Sequence, residues 1–350
     1  MSALSFAGAN CFGKRMKGPG KVQLIVYLLG LAGAALFTVL LIRQGASQVG
    51  AAFATAGWSI LAVVAFHFAV PIFLDAVAWW VLFPKSDRLP LRRIFWMRWI
   101  GESVSTLVPS AAVGGDIVRA RLAAIKGAAL PIAAGTVLVD LTLGVFTQAG
   151  FTLLGLILLV EVSGQRNFVG PTLLGTLAGV LGVAGFYFVQ RLGMFRFLGL
   201  IVARLANSAE WQSLVQSGEV LDRTVRELYA RPRGIALCCG VTIVSLVGGS
   251  GEIWIALHAL GLHATFVNAL ILQSMVLTIR SAAFAVPGGL GVQEGGYLVV
   301  GNLLGFPGDA AFALSLIARV RELALGVLGL IAWQMIEGRR LWRARTAATR

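Results

Sequence analysis

The sequence predicts an all-α polytopic membrane protein with about six full transmembrane helices plus two re-entrant hairpins in inverted-topology repeats. Three observations support this. The 350-residue chain is 58% hydrophobic and 13% charged, with mean hydropathy +0.85. A soluble domain of that length could not hide so much apolar surface, so lipid is the solvent for most of it. Apolar runs of about 20 residues, enough to cross a bilayer core, recur along the chain. Finally, two proline- and glycine-broken stretches interrupt the apolar pattern at matching places in its two halves.

Full spans are expected near 22–42, 57–83, 128–160, 168–190, 234–260 and 310–336. The run after Lys21 is too long for the apolar core of a cleaved signal peptide and is read as a first transmembrane helix. Residues 1–21 and 338–350 form basic cytoplasmic tails around a single membrane domain, 22–337. The net charge of +14 is gathered at span ends: Lys14, Arg15, Lys17 and Lys21, then Lys85, Arg88, Arg92 and Arg93, then 191–233 and 339–350. The loops 43–56, 161–167 and 258–265 are nearly free of Lys and Arg, so the basic clusters are assigned to the cytoplasm. Both termini then lie inside only if 88–127 enters and leaves on the cytoplasmic side and 264–306 does so on the outer side. Each is therefore read as a re-entrant hairpin, whose irregular backbone must be surrounded by protein or a wet cavity.

The hairpins resemble one another. Pro109 and Pro287, Asp116 and Glu294, and Ser103 and Ser281 each stand 178 positions apart. Asp75 and Glu252 are 177 apart, and Asp140 and Glu322 are 182 apart. A unit of span, hairpin and span thus recurs over about 57–160 and 234–337, first from the outside and then from the inside. Pro109, Gly114 and Gly115 would shape the first hairpin, and Pro287, Gly288, Gly289 and Gly291 the second. An amphipathic connector near 194–231, with Leu214, Val215, Leu221, Val225 and Leu228 at helical spacing, is read either as a surface helix or as a plain linker. Gly175 and Gly179 form a GxxxG expected to allow close helix packing.

Each charged side chain at a helix centre costs about 2.5–3.5 kcal/mol to insert, yet Asp75, Glu102, Asp116, Asp140, Glu252, Arg280, Glu294, Arg319, Arg321 and Glu322 all fall within spans or hairpins. Local pairing is open to Arg98 with Glu102, Asp116 with Arg119, and Arg319 with Glu322. Asp75, Asp140, Glu252 and Glu294 have no local basic partner and must be satisfied across helices or by water. The set is read as a polar pathway. Asp116, Arg119, Arg280 and Glu294 are its principal members, with Glu102, Ser103 and Ser281 beside them; Asp75, Asp140, Glu252, Arg319, Arg321 and Glu322 are intramembrane partners. An arginine fork suits phosphate oxygens, although a carboxylate would fit the same physics.

Other chemistries are not expected. Cys11, Cys238 and Cys239 make neither a disulfide framework nor a metal spacing, and His67, His258 and His263 form no ligand pattern, so Cys238, Cys239 and the three histidines are given structural roles. Gly8 to Lys14 fits GxxxxGK, but Arg15 replaces the hydroxyl that would hold magnesium and no strand precedes it. No catalytic residue, metal, cofactor or nucleic-acid partner is assigned.

LVPSAAVGGDIVRARL (107–122), VDLTLG (139–144), VPGGLGVQEGG (286–296) and ARVRELALGVLG (318–329) together resemble the flippase-like transmembrane region of lysylphosphatidylglycerol synthases, over about 22–337. AGWSILAVVAFHFAVPIFLDAVAWW (56–80) and WMRWIGESVSTLVP (96–109) look like the hopanoid-biosynthesis-associated branch of that family. The resemblance implies a protein of the bacterial inner membrane that moves or handles a lipid, anionic or hopanoid-type, with lipid- or hopanoid-biosynthesis proteins as partners. The sequence ends in LWRARTAATR where those synthases continue into a soluble aminoacyl-transferase domain, so that activity is not expected. A membrane-embedded transferase and a non-catalytic partner of such enzymes are the alternatives.

Overall fold

The computed structural model describes residues 54–107, 114–164, 169–191, 209–283 and 286–348. The tail 1–21, the predicted span 22–42 and Pro109 lie outside the described residues. Eleven helices follow in order among those described. They are α1 (Ser59–Ala69), α2 (Pro71–Leu82), α3 (Leu91–Leu107), α4 (Gly114–Ile125), α5 (Leu130–Ser163) and α6 (Val169–Arg191), then α7 (Ala209–Tyr229), α8 (Pro232–Ala259), α9 (Phe266–Ala282), α10 (Val292–Leu303) and α11 (Gly308–Ala348).

The boundaries have local causes. The expected span at 57–83 is the pair α1 and α2, bent at Val70 because Pro71 has no N–H to continue the ladder. Helix α5 begins with a proline in its first turn and stops on Gly164 at φ +65°, a left-handed conformation that glycine adopts at little steric cost. The Thr265 hydroxyl caps α9 by accepting the Asn268 N–H at 3.3 Å. Ser59–Leu82, Leu130–Ser163 and Pro232–Ala259 are each long and apolar enough to cross a membrane. Their outward faces carry exposed Leu61, Leu141, Leu153, Ile157 and Val244, an apolar coat suited to lipid.

The packing has a reciprocal pattern. Helices α2 and α8 lie against each other. Helix α3 packs on α4 and α4 on α5, as α9 packs on α10 and α10 on α11. Each leading half-helix also crosses to the other half of the chain: α3 lies against α11, and α9 against α5. These are the contacts that exchanging 57–160 with 234–337 would reproduce. The crossings are close because small residues line them. A methyl group on Gly329 would come within 2.0 Å of the Ser103 hydroxyl, and one on Gly155 within 1.7 Å of the Ser274 hydroxyl.

Two local expectations change. Val225 and Leu228 of α7 are buried against Leu82, Val139, Leu143 and Cys238, so the apolar stripe at this end of the connector is covered by protein. Apolar residues of α2, α5 and α8 offer it a drier surface than the membrane interface. Gly179 on α6 has no atom of the described residues within 4 Å of where its side chain would be, so none of the described helices approaches closely at that half of the GxxxG.

The leading hairpin is held by a backbone approach. A methyl group on Gly115 would lie 2.0 Å from the Gly101 carbonyl oxygen and 2.2 Å from the Ser105 hydroxyl. Substituting Gly115→Ala should therefore force α3 and α4 apart, destabilising the detergent-solubilised protein by about 1–3 kcal/mol in thermal unfolding. Gly150→Ala, on α5 with no atom of the described residues within 4 Å, should cause no loss, because alanine favours a helix by about 0.8–1.0 kcal/mol over glycine.

Candidate functional site

The charged side chains of the predicted spans and hairpins assemble into two ionic chains of the same order. In the first, Asp75 from α2 accepts from Arg98 Nη2 of α3 at 2.7 Å, and Arg98 Nη1 reaches Asp140 of α5 at 3.1 Å. Asp140 also accepts from Arg119 Nη1 of α4 at 2.8 Å, and Arg119 Nη2 holds Asp116 at 2.6 Å. The Arg119 guanidinium is buried 5.1 Å above the Trp79 ring, a cation–π arrangement that helps keep a desolvated cation in place.

In the second chain, Glu252 of α8 pairs with Arg321 Nη1 of α11 at 2.9 Å, and Arg321 Nη2 lies 3.5 Å from Glu322. Glu322 accepts from Arg319 Nη1 at 2.8 Å, and Arg319 Nε donates to Glu294 of α10 at 2.7 Å. Carboxylate, arginine, carboxylate, arginine, carboxylate is the order in both, and the acids of the second chain stand 177, 182 and 178 positions after those of the first. The arginines are not matched. Arg98 and Arg119 come from the two halves of the first hairpin, whereas Arg319 and Arg321 both come from α11. Arg280 of α9 adds a further contact to Glu322, at 2.5 Å.

Arg319 also answers for the second helix break. Between α9 and α10 the chain makes a short 3-10 turn, Pro287–Gly289, with Gly288, Gly289 and Gly291 at φ +63°, +59° and +76°. Such a turn frees carbonyls that lipid cannot satisfy, at several kcal/mol each. Arg319 Nη1 donates to the Gly288 carbonyl at 2.6 Å and Nη2 to the Gly289 carbonyl at 3.1 Å. One guanidinium thus holds two carboxylates and the backbone of the turn. Glu294 is fully buried in this contact.

Sequence reasoning missed two members. Arg98 is one helical turn from Glu102 and was open to local pairing, but it turns to Asp75 and Asp140 because α2 and α5 bring two acids to its side of α3. Glu102 instead meets His67 of α1, with its Oε1 3.1 Å from Nε2. His67 Nδ1 lies 2.6 Å from Glu252 Oε2 and 2.6 Å from Arg321 Nη1. Nothing in the sequence around His67 marks it, since all three partners are distant in the chain. A polar residue inside an apolar span was the one available signal.

The predicted serines are spread apart. The Ser103 hydroxyl donates to the carbonyls of Trp99, at 2.8 Å, and Leu325, at 3.3 Å, locking α3 to α11. Ser281 accepts from Gln148 Nε2 at 2.7 Å, tying α9 to α5. Gly114 opens α4, and Cys238 and Cys239 are free thiols.

Beside the first chain is a cavity of about 270 Å³. Its polar wall is Asp75, Arg98 and Asp140, and its apolar wall includes Leu141, Val145, Leu246 and Leu277. Arg98 Nε is buried, with no hydrogen-bond partner among the described residues. Leu141 and Val145 are also surface-exposed, so the apolar wall continues onto the outside of the bundle. No group of three or more His, Cys, Asp or Glu residues suited to a metal occurs among the described residues.

Removing Arg319 should be the most damaging neutralisation in this set. Arg319→Leu leaves the buried Glu294 and two carbonyls without this partner, while Glu322 keeps Arg280 and Arg321, and should cost about 3–5 kcal/mol in thermal unfolding. Adding Glu294→Gln should recover part of that loss, a non-additivity that a double-mutant cycle reads directly.

No curated protein matches the chain. The sequence model of the lysylphosphatidylglycerol synthase transmembrane region matches residues 27–329, a stretch that includes both ionic chains and the cavity. With apolar spans, buried charge pairs and that match together, the chain is a multi-pass membrane protein belonging to the lysylphosphatidylglycerol synthase transmembrane-region family.

Proposed function

We propose that the protein is a lipid translocase of the bacterial inner membrane, with both termini cytoplasmic and the two broken segments acting as re-entrant hairpins of inverted repeats. The observation that carries this reading is the cavity with an arginine–carboxylate wall on one side and a leucine–valine wall on the other. A lipid has the same division. Its headgroup needs charge-assisted hydrogen bonds, and its chains need apolar surface that continues into the bilayer. Arg98 puts a guanidinium in the cavity wall between Asp75 and Asp140, and a planar fork of this kind suits phosphate oxygens in exchange for a carboxylate.

The second hairpin offers a comparable contact. Arg280 has the most exposed side chain of the paired arginines, 30% against 3% for Arg119 and 13% for Arg319. If Arg280 turned to a phosphate, Glu322 would keep Arg319 at 2.8 Å, so no buried carboxylate would be stranded. Anionic phospholipids and polar hopanoid-type lipids both have the required division, and the hopanoid branch rests on the resemblance of 56–80 and 96–109. Proteins of lipid or hopanoid synthesis are the natural suppliers of such a substrate.

The test is a leaflet assay in proteoliposomes with head-labelled phosphatidylglycerol and, separately, a labelled hopanoid with a polar head. The wild type should move at least one of them. Leu246→Trp, which fills the apolar side of the cavity without touching a charge, should slow movement about tenfold or more. Arg98→Gln should do the same, since a charge-assisted hydrogen bond is worth about 1.5–3 kcal/mol. A wild type that moves neither lipid, or a Leu246→Trp protein as fast as the wild type, overturns the reading.

A further inference from the structure

His67 occupies a position that one protonation state cannot satisfy. Its Nδ1 lies 2.6 Å from a carboxylate oxygen of Glu252 and 2.6 Å from an arginine nitrogen of Arg321. With a proton, Nδ1 can donate to Glu252 but cannot accept from Arg321. Without one, that bond is lost and the Nδ1 lone pair repels the Glu252 oxygen; Arg321 Nη1, 2.6 Å from Nδ1 and 3.3 Å from Nε2, lies across the ring and not along that lone pair. In both states Nε2–H donates to Glu102, at 3.1 Å. The imidazole therefore has one fixed bond and one bond that the proton decides.

We propose that His67, with Glu102 and Glu252, is a proton-binding site whose occupancy decides whether α1 is tied to α8 as well as to α3. The protonated ring bonds both α3, through Glu102, and α8, through Glu252; the neutral ring keeps only the bond to α3. The proton comes from water and adds to the Nδ1 lone pair; it leaves the same way, with no other bond broken. The ring lines a narrow cavity with Glu102, Thr106, Arg321 and Glu322, and the Glu102 side chain is 35% exposed, the most open of the acids paired here.

The surrounding charge favours a titratable group at this point. Glu102, Glu252, Glu294 and Glu322 meet Arg280, Arg319 and Arg321 among the described pairs, four carboxylates against three guanidiniums. A proton on His67 balances that count, which matters because uncompensated buried charge is strongly disfavoured. The groups facing His67 are Glu102 from α3, Glu252 from α8, and Arg321 and Glu322 from α11. Tyr297 of α10 borders Glu252, and Asp75 on α2 is engaged by Arg98. The site is absent from the matched position of the second half, where Val244 stands 177 positions after His67. The two ionic chains are paired, but the switch exists once, where the halves meet.

Only the coupling of this proton to lipid movement rests on the translocase reading, so two measurements separate them. The first is nitrogen-15 histidine NMR of the full chain in nanodiscs, in a His258→Gln, His263→Gln background that leaves His67 as the sole histidine. The Nδ1 signal should change between protonated and neutral forms as pH is varied, and Glu102→Gln should move that transition. A ring that keeps one protonation state throughout the pH range in which the protein stays folded overturns the proposal. The second is the steady-state leaflet ratio of head-labelled phosphatidylglycerol under an imposed pH gradient. It should shift about tenfold per pH unit if one proton moves per lipid, and the shift should vanish in His67→Gln. Lipid movement indifferent to the gradient in the wild type overturns the coupling and leaves the translocase standing. A titrating His67 in a protein that moves no lipid overturns the translocase and leaves the proton site standing.

Discussion

The Arg319 guanidinium, shared between Glu294, Glu322 and the carbonyls of Gly288 and Gly289, is the interaction on which the second half of the molecule depends. A membrane helix broken by three left-handed glycines leaves peptide groups with no water to receive them, and a buried carboxylate has the same problem. One planar cation with several donors answers both at once. Because it sits on α11, it also fixes α10 and the turn against that long helix. The irregular backbone is therefore supported from outside its own hairpin.

The same solution recurs in the first half with different donors. Asp75, Asp140 and Asp116 are joined by Arg98 and Arg119, just as Glu252, Glu322 and Glu294 are joined by Arg321 and Arg319. Acids at matched positions with arginines from unmatched elements mean that the arrangement is kept at the level of charge neutralisation. A guanidinium can approach a carboxylate from several directions on a long, flexible stem, so the element that supplies it is free to differ. The unequal origins have a consequence. The first chain is tied to the two halves of its hairpin, and the second to one rigid helix, so the halves need not respond alike when a ligand or a proton arrives.

Much of the framework was legible in the sequence. Hydropathy marks Ser59–Leu82, Leu130–Ser163 and Pro232–Ala259, and proline and glycine mark the break at 287–291. The pairs Asp116–Arg119 and Arg319–Glu322 were legible because residues three apart share a helix face. Arg98 was not, since Glu102 at the next turn is an equally reasonable partner until α2 and α5 are placed. His67 was not, since Glu102, Glu252 and Arg321 are 35, 185 and 254 positions away.

The sequence by itself determined that lipid is the solvent, that the chain breaks at 287–291 and which positions carry charge, because these follow from hydropathy, proline and glycine chemistry and residue identity along one dimension. It also determined that Asp75, Asp140, Glu252 and Glu294 need distant partners, since none stands within a helical turn. Only the tertiary structure decided which cation each one receives. That choice depends on how closely α3 crosses α11 and α9 crosses α5, distances that Gly329 and Gly155 permit but that no periodicity encodes. The meeting of His67 with both halves was decided in the same way, by packing that brings α1, α3, α8 and α11 to one point.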